Sequence, residues 1–257
     1  MKVRHALLLA PAVALLPLAF PGIASAQTGS TTYLANLNPV PLNGQTSASA
    51  NLTLVLNGNV ATITEHASGL AATFMNGPFP HVQHIHGNGG MGLCPSASAD
   101  KNHDGLITTT EGGPAYGGID TTLSTSGDTS PAAATNIKIA PAGSGFTYRR
   151  TITLSAQTLS DLQAGRAMVV IHGLDPATAP KAATTEKSEL VPSLPQAATA
   201  PALCGKLVAM PQGGVNTGST PADSPTSVPL YLVGGAALLA AGGALAIRRR
   251  SVMAEQR

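Results

Sequence analysis

The chain has 257 residues, a formal net charge of +2, no tryptophan and only 3% aromatic residues. The positive excess sits at the two ends: residues 27–227 carry eleven acidic and eight basic side chains, which excludes a basic nucleic-acid surface. With about 200 residues between the ends, few charges, and much Thr, Ser, Ala and Gly, the composition suits a single β-rich domain.

In chain order, residues 1–26 are a predicted secretion signal. Lys2 and Arg4 precede an apolar run from Ala6 to Phe20, and Ala24-Ser25-Ala26 is a small-x-small cleavage site. The mature chain is expected to begin at Gln27. The first clear element is a hairpin. Leu52, Leu54 and Leu56 alternate with polar residues, Val60, Thr62 and Thr64 continue the alternation, and Asn57-Gly58 between them is a type I′ turn pair. Further strands are predicted at 81–86 (HVQHIH), 136–140 (NIKIA), 146–154, 167–173 and 203–210. Only residues 158–165, TLSDLQAG, have helical character. Many strands and almost no helix predict an all-β fold, an antiparallel sandwich or barrel.

The stretch 87–128 is too long for a plain turn and should carry function or a staple of its own. It contains Asp100-Lys-Asn102-His-Asp104-Gly105-Leu106-Ile107-Thr108-Thr-Thr-Glu111. Calcium takes six to eight oxygen ligands. Asp100, Asn102 and Asp104 offer side-chain oxygens, Leu106 a backbone carbonyl, Thr108 a direct or water-mediated contact, and Glu111 two oxygens. Gly105 allows the sharp turn and Ile107 is expected to point into the protein. These twelve residues resemble the loops of EF-hands and dockerins. The flanks, Cys94 to Ser98 before and Gly112-Gly113-Pro114 after, predict no paired helices, hence a single structural calcium.

Two cysteines, Cys94 and Cys204, lie in the exported part, where disulfides persist. An even pair with no other partner predicts one bridge. Residues 211–227 are rich in Gly, Pro, Ser and Thr, a flexible stalk. Val228 to Ile247 is uncharged and long enough to cross a bilayer core of ~30 Å. Arg248, Arg249 and Arg250 follow it, so a single-pass membrane anchor with an outward ectodomain and a cytoplasmic tail, 248–257, is expected.

Three of the seven histidines fall within residues 81–86. On a strand, His84 and His86 share a face ~6 to 7 Å apart, whereas His81 has the opposite parity. His172, closing the apolar run Met168 to Ile171, could add a third imidazole. Imidazoles suit copper or zinc. The same spacing also suits hydrogen-bonded polar residues at a sheet edge, and the residues alone leave both readings open.

The order His84-Ile85-His86-Gly87, Cys94-Pro95, Arg166 to His172 and Leu203-Cys204-Gly205 resembles that of the copper/zinc superoxide dismutases. The early hairpin followed by His-Ile-His-Gly is also similar to the CHRD domain, an extracellular β-module. This resemblance spans about residues 33–209. It implies a Greek-key β-sandwich or barrel, copper on His84, His86 and His172, and a Cys94–Cys204 disulfide. The zinc ligands are missing: the long loop holds only His103, inside the calcium pattern, and Ser124-Thr-Ser-Gly-Asp128 stands where the family has His-Ala-Gly-Asp. No arginine occurs in Ala198 to Gly205, where the family carries the one that guides superoxide. Two functions follow as expectations. One is a surface-anchored β-domain that binds calcium and copper, with a binding or structural role toward an envelope ligand. The other is a membrane-tethered, copper-dependent superoxide dismutase.

Overall fold

A computed structural model describes residues 29–211. The predicted signal segment, the membrane helix, the cytoplasmic tail and all but the first residue of the stalk lie outside the described residues. No helix among the described residues is long and apolar enough to cross a membrane.

Among the described residues, eleven strands and three helices follow one another. The strands are β1 (Thr31–Pro39), β2 (Ser49–Asn57), β3 (Val60–Ser68), β4 (Thr73–Phe74), β5 (Gly77–Pro78), β6 (Gln83–Asn88), β7 (Gly118–Thr122), β8 (Gly145–Thr153), β9 (Met168–His172), β10 (Pro201–Lys206) and β11 (Val208–Ala209). The helices are α1 (Thr109–Tyr116), α2 (Ala156–Gln163) and α3 (Lys181–Thr185). The fold is thus mostly β. One curled antiparallel sheet runs β7-β6-β9-β10-β1-β2-β3-β8, with β11 pairing the start of β1 and β4-β5 a separate small hairpin.

Alternation builds the concave side. Tyr33, Ala35 and Leu37 of β1, Leu52, Leu54 and Leu56 of β2, Ala61 and Ile63 of β3, and Tyr148 and Ile152 of β8 point inward and pack as one core. Their neighbours Asn51, Thr62, His66 and Arg149 face water. The strands β6, β9 and β10 differ, being buried on both faces. Inward, Ile85, Val169 and Ile171 join the main core. Outward, Met168, Val170 and Cys204 pack with Val40, Ile107 and Tyr116 in a second cluster.

That outer cluster exists because the long loop lies over β6, β9 and β10. It is stapled by the Cys94–Cys204 disulfide, with Cα atoms 5.7 Å apart. Buried Asn43 adds a polar anchor: its Nδ2 donates to the carbonyls of Ile107 (2.9 Å) and Pro201 (2.8 Å), and its Oδ1 accepts from the Ile107 N–H (2.8 Å). The two margins of the sheet, β7 and β8, do not pair with each other. Arg150 of β8 reaches across instead, donating to the carbonyl of Ser124 (2.9 Å) and that of Gly127 (2.6 Å), in the turn after β7.

Several expectations shift. The hairpin turn centres on Gly58-Asn59, because Asn57 pairs with Val60, and Gly58 takes the positive φ of 61°. Residues 137–139 form a 3-10 turn with Ile137 exposed, so NIKIA is not a strand. The predicted strand 203–210 is β10 and β11, with Leu207 between them. Helix α1 follows the calcium-like loop despite Gly112-Gly113-Pro114. Its start is fixed by a capping box, in which the Thr108 side chain accepts from Glu111 N–H and the Glu111 carboxylate from Thr108 N–H.

Candidate metal centre

The strand β6 sets His84 and His86 on its outer face, since Gln83 and Ile85 take the inner one. β9 pairs antiparallel with β6, placing Val170 opposite His84 and leaving His172 one step beyond. Ring centroids are then 5.5 Å apart for His84–His86, 5.2 Å for His84–His172 and 6.0 Å for His86–His172.

Each imidazole uses one nitrogen to grip the surrounding backbone. His84 Nε2 lies 3.1 Å from the Ala134 carbonyl, His86 Nδ1 2.9 Å from that of Gly117, and His172 Nδ1 2.7 Å from that of Thr199. A carbonyl only accepts, so these nitrogens carry the protons and the tautomers are fixed. The other three nitrogens, His84 Nδ1, His86 Nε2 and His172 Nε2, are buried with no partner. One ligand atom from each of the three residues lies within 4.8 Å of the others. Burial, then the neighbouring His172 and His86 rings, holds His84 well below its ordinary value. Burial, then His172, pushes His86 down to about 3, and burial lowers His172 to about 4. All three are neutral near pH 7, the state in which imidazole binds a metal. Three neutral, oriented imidazoles this close together, each with an orphaned nitrogen, fit a transition metal such as copper, which the trio would hold.

Helix α1 forms part of the roof. Tyr116 meets His86 edge-on at 4.7 Å, and its hydroxyl donates to the Thr109 carbonyl (2.8 Å). The Thr109 hydroxyl donates to the Thr199 carbonyl (2.6 Å), which also accepts from His172. Gly87, next to His86, is required sterically: a Cβ there would sit 2.7 Å from the side chains of Asp120 and Asp161.

The strand expected at 81–86 is β6 and begins only at Gln83, so His81 lies outside it and stands apart from the trio. Its Nδ1 and Nε2 each lie 2.9 Å from a carbonyl, of His172 and Ala71. Its ring stacks on Phe79 at 4.7 Å.

In the calcium-like loop, Asp100 Oδ2 accepts from Gly105 N–H (3.0 Å) and Asp104 Oδ1 from Leu106 N–H (2.8 Å). The Asn102 side chain bonds Asp104. His103 (φ 61°) and Gly105 (φ 83°) make the left-handed turns, and Ile107 points inward. Asp100 Oδ1 is buried without a partner. Glu111, however, spends its carboxylate on the N–H groups of Lys101 (2.9 Å) and Thr108 (3.0 Å), and Thr108 lends its hydroxyl to the helix cap. Among the described residues, the acidic side chains form no three-residue cluster comparable to the histidines.

Sequence reasoning missed Tyr116, Asn43 and the three carbonyls that orient the trio. Only the Thr108-x-x-Glu111 capping signature was there to be read. Comparison with family models, with curated proteins and with solved structures gives no match.

Proposed function

We propose that this chain is a metal-holding β-domain of the CHRD and copper/zinc dismutase type, displayed at the cell envelope, with copper on His84, His86 and His172. The observation that carries the reading is that His84, His86 and His172 each bring a ring nitrogen within 4.8 Å of the others, while each keeps one buried nitrogen without a partner and commits the other to a carbonyl. The wiring of the sheet supports it. The links from β3 to β6 and from β7 to β8 cross the sheet instead of passing to the next strand, and β10 returns beside β1, as in a Greek key.

The free nitrogens have essentially no contact with solvent. That favours a holding or structural role over turnover of superoxide. Copper would supply soft, imidazole-bound charge that ties β6 to β9. The residues of the chain orient the rings, keep them neutral and exclude water. Calcium on Asp100, Asn102, Asp104, Leu106, Thr108 and Glu111 belongs to the same proposal, supported by the buried free oxygen of Asp100 and by the turns at His103 and Gly105. Glu111 and the Thr108 hydroxyl would have to leave the helix cap to complete it. Attachment through residues 228–247 completes the reading.

Metal content of the purified chain tests it. We expect one copper per chain, absent from the variant His84→Gln/His86→Gln/His172→Gln, and a calcium-dependent rise in melting temperature that Asp104→Ala removes. A chain that takes up no copper and melts at the same temperature with the triple substitution refutes the histidine centre. Dismutation of superoxide by the copper-loaded chain would replace the holding role with the catalytic one.

A further inference from the structure

A cavity of about 410 Å³ opens beside the histidine trio. It lies between the β4-β5 hairpin, the turn at 135–137 and the segment 191–199. Its walls include Phe74, Phe79, Val82, Ile137 and Leu194, and no charged residue lines it. The hydroxyl-bearing residues in the lining are Thr135 and Thr199. This is the size range of small-molecule sites, and an uncharged wall selects an uncharged ligand because no partner repays the desolvation of an ion.

The shape of the lining narrows the class further. Phe74 and Phe79 stack with centroids 4.8 Å apart and planes 24° apart, and Phe79 stacks on His81 at 4.7 Å and 25°. Phe74, the outer ring, is half-buried and lines the cavity, so a planar ring laid on it extends the stack. Val82 precedes His84 by two residues, and the carbonyl of Thr199 accepts the His172 proton. Thr135 follows Ala134, whose carbonyl accepts from His84. The cavity therefore shares walls with the peptide groups that hold two of the three rings.

We propose that this cavity binds a small, neutral, planar aromatic molecule bearing a hydroxyl or carbonyl group. Its ring lies against Phe74 and its polar end reaches the Thr135 and Thr199 hydroxyls. Binding needs no metal and stands whether or not the trio holds one.

The test uses the purified full-length chain in EDTA, with N-phenyl-1-naphthylamine as the fluorescent probe and 1-naphthol as competitor. We expect a saturable one-site rise with Kd on the order of 10 µM, displaced by 1-naphthol. Leu194→Arg should weaken it about tenfold or more by placing a charge in the wall. Ile137→Lys, at an exposed position on the rim, should weaken it without altering the melting curve. In NMR spectra the imidazole signals of His84 and His172 should shift on saturation while that of exposed His66 stays fixed. No saturable rise, or equal rises in wild type and in a folded Ile137→Lys variant, overturns the proposal. Copper uptake measured separately leaves this result untouched, so the two proposals fail independently.

Discussion

Glu65 sits on β3 among core residues with no exposed surface. As a carboxylate neither of its oxygens has a hydrogen-bond partner, and the nearby Gln83 Oε1 and Tyr148 hydroxyl are also unpartnered. Burial pushes its pKa from 4.5 to about 8, the neighbouring Gln83 amide opposing the rise. The group is therefore a neutral acid at pH 7, able to donate its proton to Gln83 Oε1. The folded protein holds this proton more tightly than the unfolded chain does. The resulting stability is full below about pH 4.5 and is lost as pH rises through about 8. Glu65→Gln keeps the shape and cannot ionise. The variant should gain on the wild type by roughly 3 kcal/mol at pH 7 and roughly 5 kcal/mol above pH 9, with no such gain at pH 4. Urea denaturation of both proteins from pH 4 to 9, with the disulfide intact, measures that difference. Other titrating groups, the histidine trio included, are common to both proteins and cancel. Two stability curves that stay parallel across this range would falsify the neutral-acid assignment.

Three further outcomes follow from the anchoring of the long loop and from the sheet margin. Asn43→Ala leaves the Ile107 N–H and two carbonyls without partners and should cost roughly 3 kcal/mol in denaturation; a loss below about 1 kcal/mol would mean that the anchor is replaceable. Cys94→Ser with Cys204→Ser opens a link spanning 110 residues and should cost roughly 5 kcal/mol on the chain-entropy account. An unchanged melting temperature would contradict it. Asp120 is pushed up to about 7 by burial and by the neighbouring Asp161 carboxylate. Asp120→Asn should therefore gain stability relative to wild type as pH rises from about 4 to 7. A pH-independent difference between the two would remove that pairing.

The parts legible in the sequence were those written in local periodicity. The β2 alternation, the shared face of His84 and His86, and the β9 run each state their own geometry, whereas in β3 it is Ala61 and Ile63, not Val60, Thr62 and Thr64, that turn inward. The disulfide needed only two cysteines in a chain whose first residues predict export. Strand β1 was missed because Tyr33, Ala35 and Leu37 alternate with a weak apolar contrast, and β7 because five residues inside a long loop carry too short a pattern. Helix α1 has poor formers at its centre, and it forms because its cap and buried Tyr116 outweigh propensity. NIKIA misled in the other direction, since alternation cannot tell a strand from a turn whose isoleucine borders a cavity. The grip of Asn43 and of the three carbonyls on the site arises only when distant segments meet, and nothing local announces it.

A sheet that curls without sealing itself keeps two margins that no ladder joins. Here a guanidinium thrown across the gap does the work that a further row of ladder bonds would do in a closed cylinder, and Arg149 beside it adds charge at the outermost strand. Charge along such a margin discourages strand-to-strand association between molecules. The weakest point of the enclosure is thus also its guard against self-association.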